Sequence, residues 1–237
     1  MKQVTVSIFL AVLISSCDTG KQLAYSTNTG SATGDTLITE SLFNDKSASI
    51  SEENIQKVLD GSYKLPQQLR VAIVKLESAT QRRNYWYYWT DEQYLKTQKA
   101  YLDLFTDKFK RSQRVANTFS VPDVLISRSP SFTSIREAAV RMQADIVVIY
   151  SIASDLYSRS KAFSKPDIKA YAATQLIIMD VRTVLIPFSS TSTKDALSQK
   201  KKEELENAEA ASRVQNEAVL AIITDIGEKI TGFLNAN

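Results

Sequence analysis

The chain has 237 residues, with 29 Lys and Arg against 26 Asp and Glu, one cysteine and no histidine. A net charge of +3 gives no strongly basic surface, so no nucleic-acid partner is expected. The missing histidine removes the commonest general base and metal ligand, and one cysteine leaves no intramolecular disulfide, so neither a cofactor nor a metal is expected.

The amino terminus carries the sharpest signal. Lys2 supplies a minimal positive start, and residues 4–14 form an apolar run. That run is too short for a ~30 Å hydrocarbon core, which takes about 20 helical residues. It matches the core of a signal peptide, and Ser15 and Ser16 are small enough for a peptidase to reach the bond before Cys17. Ile14-Ser15-Ser16-Cys17 resembles the bacterial lipobox. The resemblance implies a signal peptide over 1–16, a mature chain starting at an acylated Cys17, and a membrane anchor of palmitate type. At ~0.8 kcal/mol per buried CH₂, more than one acyl chain anchors stably. The expected place is the bacterial cell envelope, facing the periplasm. Asp18 follows the cysteine. Such an aspartate goes with inner-membrane retention in enteric-type sorting but not in other bacteria, so inner and outer membrane both stay open. The plainer alternative is a secretory signal with a chance cysteine.

Residues 17–50 read as a flexible tether. More than half of them are Gly, Ser, Thr, Asn or Asp, too polar to offset their own ordering entropy. The exception is Leu37-Ile38 and Leu42-Phe43, which are expected to dock on the domain as a short element.

Residues 51–237 read as one domain. A short helix is predicted over 52–59, closed by Gly61. Pro66 precedes an aliphatic run at 69–76, predicted as a buried strand. Thr90 and Gln93 have capping-box spacing, and the helix they open aligns Tyr94, Leu95, Gln98, Tyr101, Leu102, Phe105 and Phe109. Short strands are predicted at 115–119 and 124–127, broken by Pro122. A second capping box runs from Ser134 to Glu137, with Ile135, Ala138, Ala139 and Met142 on one face of its helix. Asp145 leads into 146–152, the predicted central strand. A polar loop at 155–170 follows, and strands at 170–181 and 184–193 form a hairpin turning at Arg182-Thr183. The last helix is predicted over 196–234. Its apolar stripe includes Leu205, Ala208, Ala211, Val219, Ile222, Ile223, Ile226, Ile230 and Phe233, and Lys200/Glu204 and Lys202/Glu206 form i,i+4 pairs. The expected fold class is α/β: a roughly five-stranded sheet, first parallel and then antiparallel, packed by helices and ending in a long helix.

Three stretches carry a further resemblance: the strand at 69–76, the helix-to-strand junction Arg-Glu-Ala-Ala-Val-Arg-Met-Gln-Ala-Asp-Ile-Val-Val at 136–148, and Ile178-Met179-Asp180-Val181-Arg182-Thr183. With the long final helix, they resemble the α/β domain shared by the TolB amino-terminal region and the CsgG-like envelope lipoproteins, over about 69–234. The chain departs from that pattern at Val184, where such families often carry glycine after the turn. Fold analogy does not transfer function.

The chemistry available is limited. A Ser-His-Asp triad cannot be built without histidine, and there is no G-x-S-x-G or P-loop motif. Asp145, Asp155 and Asp180 lie at predicted strand ends, where converging carboxylates would suit glycan cleavage. Their plainer roles are to cap a strand and order a turn. The one local anomaly is Arg82, Arg83, Tyr85, Trp86, Tyr87, Tyr88 and Trp89. Neighbours on extended backbone point to opposite faces, so these aromatics cannot all enter one core. They can staple a loop, bind a protein partner, or meet a glycan or membrane. The loop at 155–170, with Tyr157, Arg159, Lys161, Phe163 and Lys165, is a second candidate surface.

The reading that follows is a non-enzymatic, lipid-anchored envelope protein that binds another envelope component, a protein partner or its own copies. Two alternatives stand beside it: a self-assembling ring or pore of CsgG-like type, and a glycan-binding or carboxylate-dependent glycan-cleaving protein.

Overall fold

The computed structural model describes residues 41–43, 50–77, 92–126, 129–161 and 164–236. Five strands form one sheet: β1 (Leu69–Lys75), β2 (Val115–Ser120), β3 (Ile146–Lys161), β4 (Ser164–Asp180) and β5 (Phe188–Gln199). Their spatial order is β2-β1-β3-β4-β5. β1 runs parallel to β2 and β3, whereas β3–β4 and β4–β5 are antiparallel. The α/β fold with a mixed sheet is therefore as expected. The helices are α1 (Glu52–Leu59), α2 (Glu92–Lys110), α3 (Phe132–Arg141) and α4 (Asn207–Ala236).

The topology explains which face each helix covers. The chain steps outward from β1 to β2 through α2, then back across β1 to β3 through α3. Crossovers of one hand in opposite directions place their helices on opposite faces. Accordingly, Tyr101, Phe105 and Phe109 of α2 join Val71, Ile73, Val148 and Tyr150 in one core. Phe132, Ile135, Ala138 and Ala139 of α3 join Ala72, Val74, Val147, Ile149 and Met179 in the other. β1 is buried on both faces, which is why 71–74 is a continuous apolar run.

α4 shares the α2 face. Ala210, Val214, Ala218, Ile222, Ile226, Ile230 and Leu234 recur every fourth residue and are all buried. It crosses α2 at Gly227, where the stem of the buried Lys108 fills the space a side chain would take. On the other face, Leu42 and Phe43 dock as expected. The Leu42 carbonyl accepts from Phe132 N at 3.1 Å, and the rings of Phe43 and Phe132 lie 4.4 Å apart. Leu37-Ile38 and the cap residue Thr90 lie outside the described residues.

Several boundaries differ from the sequence reading. The predicted strand at 124–127 is instead a 3₁₀ turn, Asp123–Leu125, with Leu125 N bonded to the Pro122 carbonyl. The capping box of α3 is Ser131/Ser134, three residues upstream of the predicted one. The loop expected at 155–170 is strand: β3 runs to Lys161 and β4 starts at Ser164. The segment extends the β3–β4 ladder, with Asp155, Tyr157, Ser158 and Lys169 exposed, and Pro166 sits beside the register shift between Arg159 and Lys161, where a missing N–H is tolerated. β5 starts at Phe188 rather than Val184 and takes the residues through Gln199, so the last helix starts at Asn207 rather than Ala196. Leu205 is consequently exposed, and Glu204 pairs with Arg213 instead of Lys200.

Candidate functional site

Two surfaces concentrate side chains that the fold does not absorb. The first is at the end of the sheet where β1 and β3 begin and β4 stops. Arg70, second in β1, exchanges main-chain bonds with the α3–β3 junction: Asp145 N donates to its carbonyl at 2.9 Å, and its N–H reaches Asp145 Oδ2 at 3.0 Å. Its guanidinium then grips the same carboxylate side-on, Nε to Oδ2 and Nη2 to Oδ1, both 3.0 Å. At the end of β4, Asp180 accepts from the N–H groups of Arg182 and Thr183 at 2.9 and 2.8 Å and from Tyr63 Oη at 3.1 Å. The turn so ordered brings Arg182 Nη2 to Asp145 Oδ1 at 2.8 Å. Arg136 of α3 completes the group, donating from Nε to the Val181 carbonyl at 2.7 Å and from Nη2 to that of Arg182 at 3.0 Å.

The Asp145 side chain is only 6% exposed, against 41% for Arg70 and 61% for Arg182. Bonds from the Arg70 side chain, with help from its backbone N–H and from Arg182, hold the Asp145 carboxyl well below the usual carboxylate range, against the opposing effect of burial. Burial and the neighbouring Asp180 push the Tyr63 hydroxyl up. Arg70, Arg136 and Arg182, with Gln143 and Val140, line an open cleft of about 520 Å³.

The second surface is the far half of the α3 face of the sheet. In-register pairing sets Tyr157, Lys169 and Leu197 in one cross-strand row and Asp155, Tyr171 and Asp195 in the next. No described element covers these rows: Tyr157 is 59% exposed, Tyr171 40% and Leu197 70%. Lys169 Nζ lies 3.0 Å from Asp195 Oδ2. A hydrogen bond to Asp155 and that residue's charge push the Tyr157 hydroxyl up, and the Lys169 hydrogen bond lowers the Asp195 carboxyl.

A serine beside an amine occurs where β5 meets α4, but it is not an activated nucleophile. Ser192 Oγ bonds Asp225, and Lys229 and Lys194 both pair with that carboxylate. The serine bond first, then the two lysines, lower the Asp225 carboxyl. The serine hydroxyl donates to that carboxylate, and Lys229 Nζ donates to the serine oxygen at 3.4 Å, so neither lysine stands as the acceptor of the serine proton. Among the described residues no group of three His, Cys, Asp or Glu could hold a metal ion, and no helix is long and apolar enough to cross a membrane.

The sequence-predicted residues distribute as follows. Cys17 and the run Arg82, Arg83, Tyr85, Trp86, Tyr87, Tyr88 and Trp89 lie outside the described residues. The three aspartates do not converge. Asp145 and Asp180 share one end of the sheet, whereas Asp155 is ten positions further along β3, roughly 33 Å at ~3.3 Å per residue. Tyr157 does belong to a surface, but on a strand face rather than in a loop. Sequence reasoning missed the arginine cleft. Its signal was Arg70 near the start of an apolar run, with Arg136 in a stretch read as a helix start and Arg182 in one read as a turn.

No protein-family model matches the chain, and no curated protein matches it in sequence. Among solved structures the chain is similar to protein CT253 from Chlamydia trachomatis, at 14% identity and TM-score 0.41 over 72% of this chain and 99% of that one. It is also similar to a minor lipoprotein from Acinetobacter baumannii, at 7% identity and TM-score 0.36 over 69% and 92%. A third is lipoprotein GNA1162 from Neisseria meningitidis, at 9% identity and TM-score 0.27 over 68% and 99%.

Proposed function

We propose that the chain is a lipid-anchored, non-enzymatic binding module of the bacterial envelope that holds a partner protein against the open face of β3, β4 and β5. The observation that carries this reading is the pair of rows Tyr157–Lys169–Leu197 and Asp155–Tyr171–Asp195, uncovered by any described element. Tyrosines with an apolar ring and a polar tip are the side chains that anchor protein interfaces. The face is pleated and carries large side chains from three strands, which suits another protein surface. Two aspartates against one lysine call for a partner with an apolar centre and a basic rim.

The lipobox supports placement at a membrane. With Leu42 and Phe43 docked, the stretch read as a tether shortens to about residues 18–41. At ~5–6 Å × √n, such a chain reaches roughly 25–30 Å. That confinement raises the effective concentration for envelope partners. The test is a paired substitution, Tyr171→Arg with Leu197→Glu, in the full acylated protein extracted gently from cells. The native complex is expected to fall to the mass of the free protein while the melting temperature holds. A complex of unchanged mass would refute the reading.

The ring or pore reading retains one favourable observation. β5 is an edge strand of twelve residues, and its outer side has no strand partner among the described residues. Such an edge can pair with a second chain. Self-assembly through β5 predicts a uniform multiple of the chain mass that survives the face substitutions.

A further inference from the structure

Independently of the open sheet face, the geometry points to the cleft between Arg70, Arg136 and Arg182 as a binding site for a phosphate group carried on a larger molecule. The three guanidinium groups line one cleft, and no carboxylate is among the lining residues. Asp145 lies beneath them and is saturated: its two oxygens already accept from Arg70 N, Arg70 Nε, Arg70 Nη2 and Arg182 Nη2. Asp180, at the end of β4, spends its acceptors on Tyr63 and on the turn at 182–183. Three fixed positive charges therefore face these two carboxylates, both turned to internal donors.

The arginines are also held in place. Arg70 is fixed through Nε and Nη2, Arg136 through Nε and Nη2, and Arg182 through Nη2. Among the described residues no bond engages Nη1 of any of them. Guanidinium groups already held by other bonds lose little freedom on binding an oxyanion, and their planar forks match phosphate oxygens. One cleft wall is the carboxyl-terminal end of α3, so the positive field comes from the side chains and not from a helix dipole. A volume of about 520 Å³ leaves room for more than a bare phosphate. Two sources fit: a lipid headgroup at the anchoring membrane, or a soluble phosphorylated molecule.

The test uses the full acylated protein in nanodiscs of uncharged lipid, with inorganic pyrophosphate as the probe at constant ionic strength. Calorimetry is expected to show one saturable site. Arg182→Gln is chosen because that side chain is largely exposed and Arg70 still satisfies Asp145. It should weaken the site at least tenfold, as should Arg136→Gln. Arg141→Gln, on α3 and paired with Glu137, should leave it unchanged. Unchanged melting temperatures certify the fold. Repeating the titration in nanodiscs with phosphatidylglycerol separates the sources: weakened pyrophosphate binding marks a headgroup occupant, and unchanged binding marks a soluble one. No saturable binding, or equal binding by the Arg182 and Arg141 variants, would overturn the assignment.

Discussion

Arg70 holds Asp145 side-on, with Nε and Nη2 each 3.0 Å from one carboxylate oxygen, and its own N–H bonds the same group. One residue thus ties the start of β1 to the start of β3. The folded chain holds the Asp145 proton less readily than the unfolded chain does. Its stabilisation is therefore complete above the ordinary carboxylate range near pH ~4 and drains as pH falls below it. Urea denaturation of wild type should show stability falling from about pH 5 downward. Asp145→Asn should cost about 1–3 kcal/mol at neutral pH and flatten that acid limb. The exposed arginine ends argue for the lower part of that range. An acid limb unchanged in the variant would assign the effect to other groups.

Gly227 sits where α4 crosses α2. A Cβ built there would meet Lys108 Cγ at 2.5 Å and Lys108 Cβ at 3.0 Å. These atoms are the stem of a buried side chain, so the helices must separate. Gly227→Ala should destabilise by about 1–3 kcal/mol. Adding Lys108→Ala removes the 2.5 Å contact, and the double variant should recover part of the loss. A double-mutant cycle in denaturant reads this coupling; simple additivity would contradict the packing described.

Val184 has φ 62°, the left-handed region, at the turn after β4. Here a β-branched residue occupies backbone that favours glycine. The turn is held open to this geometry by Asp180, whose carbonyl accepts from Val184 N at 2.8 Å. Val184→Gly should raise stability by about 0.5–1 kcal/mol, strain relief exceeding the entropy and packing lost. A lower denaturation midpoint would show that the packing of Val184 beside the α3 core outweighs its strain.

Much of the fold was legible because hydrophobic period and burial coincide. The run at 69–75 reads as a central strand because both faces of it are buried, and the every-fourth spacing from Ala210 to Leu234 reads as a packed helix. Reading failed where polar residues occupy strands. The 155–170 segment looked like a loop because its described strand residues Asp155, Tyr157, Lys169 and others on that face meet water. The stretch at 196–199 looked helical because its neighbours at 200–206 carry helix-forming charges. The positive φ at Val184 was not legible, since a β-branched residue gives no local sign of backbone that favours glycine. The arginine cleft was not legible, since it joins Arg70, Arg136 and Arg182 across three elements and only the sheet order brings them together.

The open sheet face carries the account, and photo-crosslinking in living cells tests it most directly. A photoreactive phenylalanine would replace Tyr171 or Leu197, with Val124 as a control that is 89% exposed on the 3₁₀ turn. The account predicts one and the same foreign envelope protein captured from Tyr171 and Leu197 and none from Val124. Equal capture from Val124, adducts only between copies of the chain, or no adduct from the face would contradict it.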